Sequence, residues 1–498
     1  MTRRIALITL PLLFAACSVG PDYVTPTAPT PTAANYKELG NWKTAEPKDN
    51  VIRGKWWEIY HDPQLNALED QVNISNQNVL QAEAQFRQAA ATVKVARAAF
   101  FPTLTANPAY TESQSSQNLT VHSNAPGAQH QGATAVTLYD LPLDATYLVD
   151  VWGAVRRNVE ANSATAQASF ANLENIRLTF QATLAVDYFN LHGLDAQEEL
   201  LRTTVASYEK FLDLTTNRYN SGIASQGDVA LAKTQLDTTK AQLIDVGVAR
   251  ATFEHAIATL TGKPATDFGL KKVSLTATPP AIPAGVPSTL LERRPDVAQA
   301  ERQVASANAS IGVQVAGYYP QLTLNASTGL EAIKLSELFS GPSFLWSVGP
   351  VIAQTIFDAG ATHGRVQEAQ ANYDATVANY RQVVLISFQQ VEDNLSGLRI
   401  LQDEAAAQDE AVKSANQSLD IQTNQYKSGI IAYLNVITAQ ATALSDEVTA
   451  VNIRTRRMTT SVQLIEALGG GWDESKLPGK GGVADVPPAQ KQIDQGKK

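Results

Sequence analysis

The sequence predicts an α+β protein: a long α-helical coiled-coil barrel joined to a membrane β-barrel whose strands several chains share. Three observations in the 498 residues predict it. The chain repeats itself, long proline-free stretches carry helical periodicity, and short alternating segments stand between the helices.

The repeat comes first. Asn78–Glu83 matches Asp296–Glu301, and Phe100-Phe101-Pro102 matches Tyr318-Tyr319-Pro320, both at an offset of 218. Further on, Arg218–Ile223 matches Gln425–Ile430 at an offset of 207, as do Gly153 and Gly360. The first copy therefore carries 11 additional residues between Pro102 and Gly153. A long-period duplication usually builds an architecture of stacked or symmetric units.

Residues 1–16 read as a signal peptide. Arg3 and Arg4 precede the apolar run Ile5–Phe14, and Ala15 and Ala16 precede Cys17. The chain's single cysteine stands where a lipoprotein signal peptidase cuts and a lipid is attached. Phe14 replaces the leucine usual three residues before that cysteine. Residues 17–55 are rich in proline and threonine and read as an extended, lipidated linker.

The first repeat spans 56–285. Its first helix covers roughly 63–100 and ends at Phe101-Pro102. Strands are expected at 103–112 and 133–149, and long helices at 153–220 and 225–262. Leu173, Ile176, Phe180, Leu184, Tyr188, Leu191 and Leu194 recur at gaps of three or four, and Leu201 to Tyr219 continue the seam. A helix over 153–220 measures about 100 Å at 1.5 Å per residue, too long for a compact domain. The second repeat spans 286–472, with a helix at 295–317, strands at 321–328 and 343–357, and long helices at 360–427 and 431–468. Ser221-Gly222 and Ser428-Gly429 turn the two helix pairs at equivalent places, and Gly153 and Gly360 mark the strand-to-helix turns. Residues 473–498 form a polar tail expected to be disordered or loosely packed.

The strands alternate. Tyr139, Leu141, Leu143, Ala145, Tyr147 and Val149 share one face, and Asp140, Asp144 and Thr146 the other. Phe344, Trp346, Val348, Ile352 and Ile356 alternate with Ser347, Gly349 and Thr355. Half-buried hairpins alternate in this way, and so do transmembrane barrel strands. Pro108, Pro142 and Pro350 suggest bulges or kinks, because proline cannot donate to a ladder. Four strands cannot close a barrel, and an open edge cannot lie in lipid. Eight strands leave an interior filled by side chains, so a passage favours at least three chains.

Composition excludes other classes. A net charge of −9 argues against nucleic acid, and 44% hydrophobic residues argue against a disordered chain. No apolar run is long enough for a transmembrane helix. The six histidines form no short-spaced metal pair, and no phosphate or dinucleotide loop is present. The expectation is a protein without enzymatic activity or cofactor.

Four motifs then carry a family resemblance. Cys17–Tyr23 resembles the mature start of outer membrane factor lipoproteins. Trp56-Trp57 with Asp62-Pro63-Gln64-Leu65 resembles their first-helix motif, Leu290–Val297 the opening of their second repeat, and Ala467–Trp472 their final turn. The chain thus resembles the TolC-like family, in its OprM/NodT-like branch. The resemblance implies a homotrimer with twelve strands and twelve long helices, anchored in outer-membrane lipid and projecting into the periplasm. It implies partnership with a periplasmic adaptor and an inner-membrane pump, of RND type on the branch resemblance, for expulsion of drugs or toxic solutes. A type I protein-secretion outlet is the alternative within transport, and a non-conducting coiled-coil lipoprotein the alternative outside it.

By the same resemblance, the hairpin tips form the periplasmic gate and the adaptor contact. The residues concerned are Tyr219, Ser221, Gly222, Asp228, Tyr426, Ser428, Gly429, Ile431, Asn435 and Thr438. Asp228 matches a gate aspartate. Asn435 and Thr438 stand where some relatives carry aspartates, and Ile431 replaces a gate arginine. Three Asp228 carboxylates near an axis could bind cations, whereas three Asn435 amides could only hydrogen-bond. An acid in a first helical turn is also stabilised by the helix dipole, which leaves Asp228 a second reading.

Overall fold

The computed structural model describes residues 18–30, 36–39, 54–114, 116, 135–282, 291–479 and 482–485. Cys17, the signal peptide and most of the 114–135 connection lie outside the described residues. Among the described residues, seven principal helices and five strand segments follow in chain order. They are α1 (Pro63–Ser75), α2 (Gln77–Ala98), β1 (Thr103–Ala106), β2 (Ala109–Ser113), β3 (Val136–Val149), α3 (Ala154–Asn220) and α4 (Gln226–Leu260). Then come α5 (Pro295–Ala316), β4 (Gln321–Ala332), β5 (Phe344–Ala353), α6 (Ala361–Lys427) and α7 (Tyr433–Ala467).

The duplication is visible in helix length. α2 and α5 have 22 residues each, α3 and α6 67 each, and α4 and α7 35 each. The 67-residue helices are rods of about 100 Å. Gly153 and Gly360 precede them with φ of +82° and +88°, a left-handed turn in which a Cβ is strained.

The expected first helix over 63–100 is two helices. Asn76 breaks it with an extended backbone, and its Oδ1 accepts from Asn78 N and Val79 N to cap α2. Upstream, Asp62 caps α1 through Gln64 N and Leu65 N and accepts from the Tyr188 hydroxyl at 2.7 Å. That accounts for the Asp62-Pro63 motif, since proline at the first helical position lacks only a donor that would be orphaned anyway.

One antiparallel sheet runs β1/β2–β3–β4–β5. Thr103 pairs with Thr146 and Ser113 with Val136 in one unbroken register, so Pro108 interrupts the first strand without a bulge. By that register Asn107 lies opposite Pro142 and Pro108 opposite Leu141. Two prolines missing their N–H on adjacent rungs explain the gap. Pro142 and Pro350 stay in register with Gly329 and Leu324, so neither produces the expected bulge. β4 extends to Ala332, beyond the expected 328, while β5 stops at Ala353, short of the expected 357.

Directly opposed residues of antiparallel strands share a face. Leu104, Tyr110, Tyr139, Leu143, Tyr147, Leu324, Trp346, Val348 and Ile352 therefore line one side of the sheet, and Thr105, Asp140, Asp144, Thr323, Asn325 and Ser347 the other. The apolar side is bare: Trp346 is 68% exposed and Val348 70%. Among the described residues no helix is long and apolar enough to cross a membrane.

The main core lies below the sheet, where α1, α2, α5, part of α6 and the ends of α4 and α7 pack with α3. Trp56, Leu65, Leu184, Leu191, Ile257, Leu395 and Met458 are buried there. Two segments that looked like linker and tail are fitted to this wall. Val19 N donates to Trp152 O (3.0 Å), Arg157 pairs with Asp22 (2.8 Å), and the Tyr23 hydroxyl donates to Glu301. Glu392 receives Lys37 N and Glu38 N at 2.7 and 2.8 Å. The tail is not loose where it is described. Gln167 Nε2 donates to Pro478 O (2.9 Å), and Val483 is fully buried against Ala90, Val93 and Ala166. A chain of polar composition can still dock when single apolar residues find small-residue notches on a helix wall.

Candidate functional site at the helix-hairpin tips

The α3–α4 and α6–α7 turns are built alike. Gly222 and Gly429 adopt φ of +75° and +76°. Gly222 N donates to Tyr219 O and Ile223 N to Arg218 O, both at 2.8 Å. Gly429 N and Ile430 N repeat the pattern with Tyr426 O and Gln425 O at 2.9 Å. Each is a Schellman ending, in which left-handed glycine lets the chain satisfy the last helical carbonyls. The residue after the glycine usually packs on the one five positions earlier. Here those earlier residues are Arg218 and Gln425, and Ile223 and Ile430 stand 67% and 71% exposed. Ser221 and Ser428 return their hydroxyls to Asn217 O and Asn424 O at 2.9 Å.

The next helices start differently. Ser225 accepts from Asp228 N (3.1 Å), and Asp228 Oδ2 accepts from Ser225 N (3.0 Å), a complete capping box. Ala432 and Asn435 occupy the equivalent places in the second repeat, where no side chain caps α7. The structure thus gives Asp228 a local helix-starting role. Asn435 and Thr438 are exposed, and Thr438 returns its hydroxyl to Leu434 O.

The two tips meet within one chain. Tyr426 and Tyr433 are buried with ring centroids 5.1 Å apart, beside Ala232 and Val436, and Ile431 packs against this cluster. Burial pushes the Tyr433 phenol up to about 12. Arg218 lies over the Tyr426 ring at 4.8 Å and donates from Nη1 to Lys427 O at 3.0 Å. Its cation thus rests at the negative end of α6 and on a π face together. Tyr219, equivalent to Tyr426, stays 43% exposed. The sequence reading singled out neither Arg218 nor Tyr433 as a tip residue. The available signal was a break in the repeat, since Arg218 aligns with Gln425.

A sheet apolar on one side and polar on the other, with both edges unpaired among the described residues and rods of about 100 Å beneath it, fits an outer-membrane channel. The chain belongs to the outer membrane efflux protein family, whose pattern matches residues 68–263 and 286–470. It is 27% identical over 482 residues to the probable efflux pump outer membrane protein TtgC of Pseudomonas putida, covering 95% of this chain and 97% of that one. It is 28% identical over 476 residues to the pyoverdine export outer membrane protein OpmQ of Pseudomonas aeruginosa, covering 95% and 98%. Among solved structures, the outer-membrane channel OprN superposes with a TM-score of 0.83 at 28% identity, covering 92% of this chain and all of that one. The Campylobacter jejuni CmeC outer membrane channel has the same fold, with a TM-score of 0.82 at 21% identity over 96% and 98% of the chains.

Proposed function

We propose that three copies of this chain close one barrel and one periplasmic tunnel, and that the assembly is the passive exit duct of a tripartite efflux pump. The observation that carries this reading is the sheet's two edges, unpaired among the described residues, beside a bare apolar face. Open edges cannot remain unpaired in lipid, and twelve strands give an interior wide enough for a passage. A periplasmic adaptor docks on the tips, where Ile223 and Ile430 offer exposed apolar contact. An RND-type inner-membrane pump supplies the energy. The cargo is drugs or other toxic solutes, in keeping with relatives named for efflux. Cys17 carries the lipid.

Conductance in planar bilayers tests the gate. Ser225→Ala removes the cap and keeps the charge, while Asp228→Ala removes both. A gate charge predicts a raised leak for Asp228→Ala alone. A capping role predicts the same rise in both, and no rise in either variant overturns the gate assignment. Cys17→Ser is expected to abolish palmitate labelling, and persistent labelling would remove the anchor from Cys17.

A further inference from the structure

The Trp56-Trp57 motif and the glycine turn ending in Trp472 meet at one cavity, which plays no part in the proposed duct. We propose that this cavity binds a small carboxylate, held between the indole N–H groups of Trp57 and Trp472 and the guanidinium of Arg177.

The cavity has a volume of about 400 Å³. Trp57 comes to it from the 3-10 turn Trp56–Tyr60, Asn73 from α1, Arg177 from α3 and Trp472 from the turn after α7. Gly469 and Gly470 form part of the wall, and a Cβ on Gly470 would strike the Leu178 side chain. Three N–H groups of the lining residues have no acceptor among the described residues: Trp57 Nε1, Trp472 Nε1 and Arg177 Nε. Trp57 and Trp472 are only 2% and 5% exposed. Two other indoles of the chain are satisfied. Trp56 Nε1 donates to Gln181 Oε1 at 3.3 Å, and Trp152 Nε1 to Pro320 O at 2.8 Å. A buried donor without an acceptor is costly, and native proteins rarely keep one. Three such donors, brought from separate elements to one space, point to a partner that enters it.

The side-chain acceptors at the cavity are already committed. Glu174 takes Arg177 Nη1, Asn73 Oδ1 accepts from Gln181 Nε2 at 2.9 Å, and Gln181 Oε1 accepts from Trp56. The space therefore offers donors and calls for acceptors alone. A hydroxyl or amide ligand would bring a donor of its own with no side-chain acceptor left to receive it. A carboxylate brings two oxygens and no donor, and its charge strengthens each hydrogen bond it accepts. The cations at the cavity agree with that sign. Lys55 is answered by Asp70 at 2.7 Å and Arg177 by Glu174, while Lys476 donates to Gly471 O at 3.2 Å and adds a further positive charge.

The test is fluorine NMR of the full-length, detergent-solubilised protein carrying fluorotryptophan, with each resonance assigned by a Trp→Phe substitution. Acetate is titrated at constant ionic strength, and inorganic phosphate in a parallel series. The expected result is a saturable shift of the Trp57 and Trp472 resonances in acetate, with the Trp152 resonance unmoved. Trp57→Phe and Trp472→Phe keep an aromatic ring and remove the N–H. Each is expected to weaken acetate binding, read at the other indole, by about tenfold or more. Arg177→Lys keeps a cation beside Glu174 and removes the Nε–H, with the same expected loss, and it carries the test if either tryptophan variant does not fold. Shifts that sodium chloride reproduces overturn the site. Unchanged affinity in all the folded variants overturns this donor set. Phosphate binding tighter than acetate overturns the carboxylate assignment.

Discussion

Asn76 and Arg294 occupy equivalent positions in the two repeats, and each donates a side-chain N–H to the last carbonyl of its own repeat's 35-residue helix. Asn76 Nδ2 reaches Leu260 O and Arg294 Nη1 reaches Ala467 O, both at 2.9 Å. Each residue also stands at the start of a 22-residue helix, so it couples one helix's beginning to another's end. The chemistry differs while the geometry is kept. Asn76 caps α2 with its carbonyl oxygen, whereas Arg294 uses Nε and Nη2 to fork onto Asp296 at 2.9 and 2.6 Å.

Asn76→Ala removes a cap and leaves Leu260 O without its donor. It is expected to destabilise the protein by about 1–3 kcal/mol. Arg294→Lys is expected to be destabilising too, because a lysine cannot keep both the fork and the carbonyl bond. Denaturant unfolding of the detergent-solubilised protein checks both. Full stability in Asn76→Ala would show that packing alone holds this junction.

Arg218 joins the α3–α4 tip to the α6–α7 tip. Arg218→Ala is expected to weaken that contact by about 1–2 kcal/mol, through loss of the Lys427 carbonyl bond and the Tyr426 ring contact. Single-channel recording is expected to find more frequent openings than in the parent, with Arg218→Lys intermediate. Identical open probability in the alanine variant would show that this contact does not restrain opening.

Gly329 lies where β4 crosses Pro142. A Cβ there would sit 2.5 Å from Leu141 O and 2.9 Å from Pro142 Cα, both backbone atoms that cannot yield cheaply. Gly329→Ala is expected to block barrel assembly, seen as loss of the folded band on a semi-native gel. Gly349→Ala, with nothing within 4 Å, serves as the neutral comparison.

Asp187 is held up to about 6 by burial, above its ordinary 3.8. Between those values the native state holds the proton more tightly than the unfolded chain. This contribution to stability is therefore present at low pH and lost as pH rises towards 6 and beyond. Asp187→Asn is expected to leave the melting temperature unchanged near pH 3.5 and to raise stability at pH 8, by up to about 3 kcal/mol. An equal effect at both pH values would assign it to packing.

The sequence by itself determined the duplication, the helix rods, the tip turns and the two faces of the strands. Those follow from periodicity and from local backbone demands, which a short window of residues already contains. Glycine at 222 and 429 is needed by the turn itself, and Tyr139, Leu141 and Leu143 alternate whatever they face. Only the tertiary structure decided that Asn76 splits the first helix, that Arg218 reaches Lys427 O, and that Val483 is buried. It also showed Asp228 in a capping box with Ser225, the helix-start role that stands beside the gate charge implied by the family resemblance. The long-range contacts join residues that are far apart in the chain. Their partners meet only after the helices pack, so neither side carries a local signature. The strand edges extend the same logic beyond one chain: alternation fixes which way each side chain points, while register depends on the neighbour across the ladder.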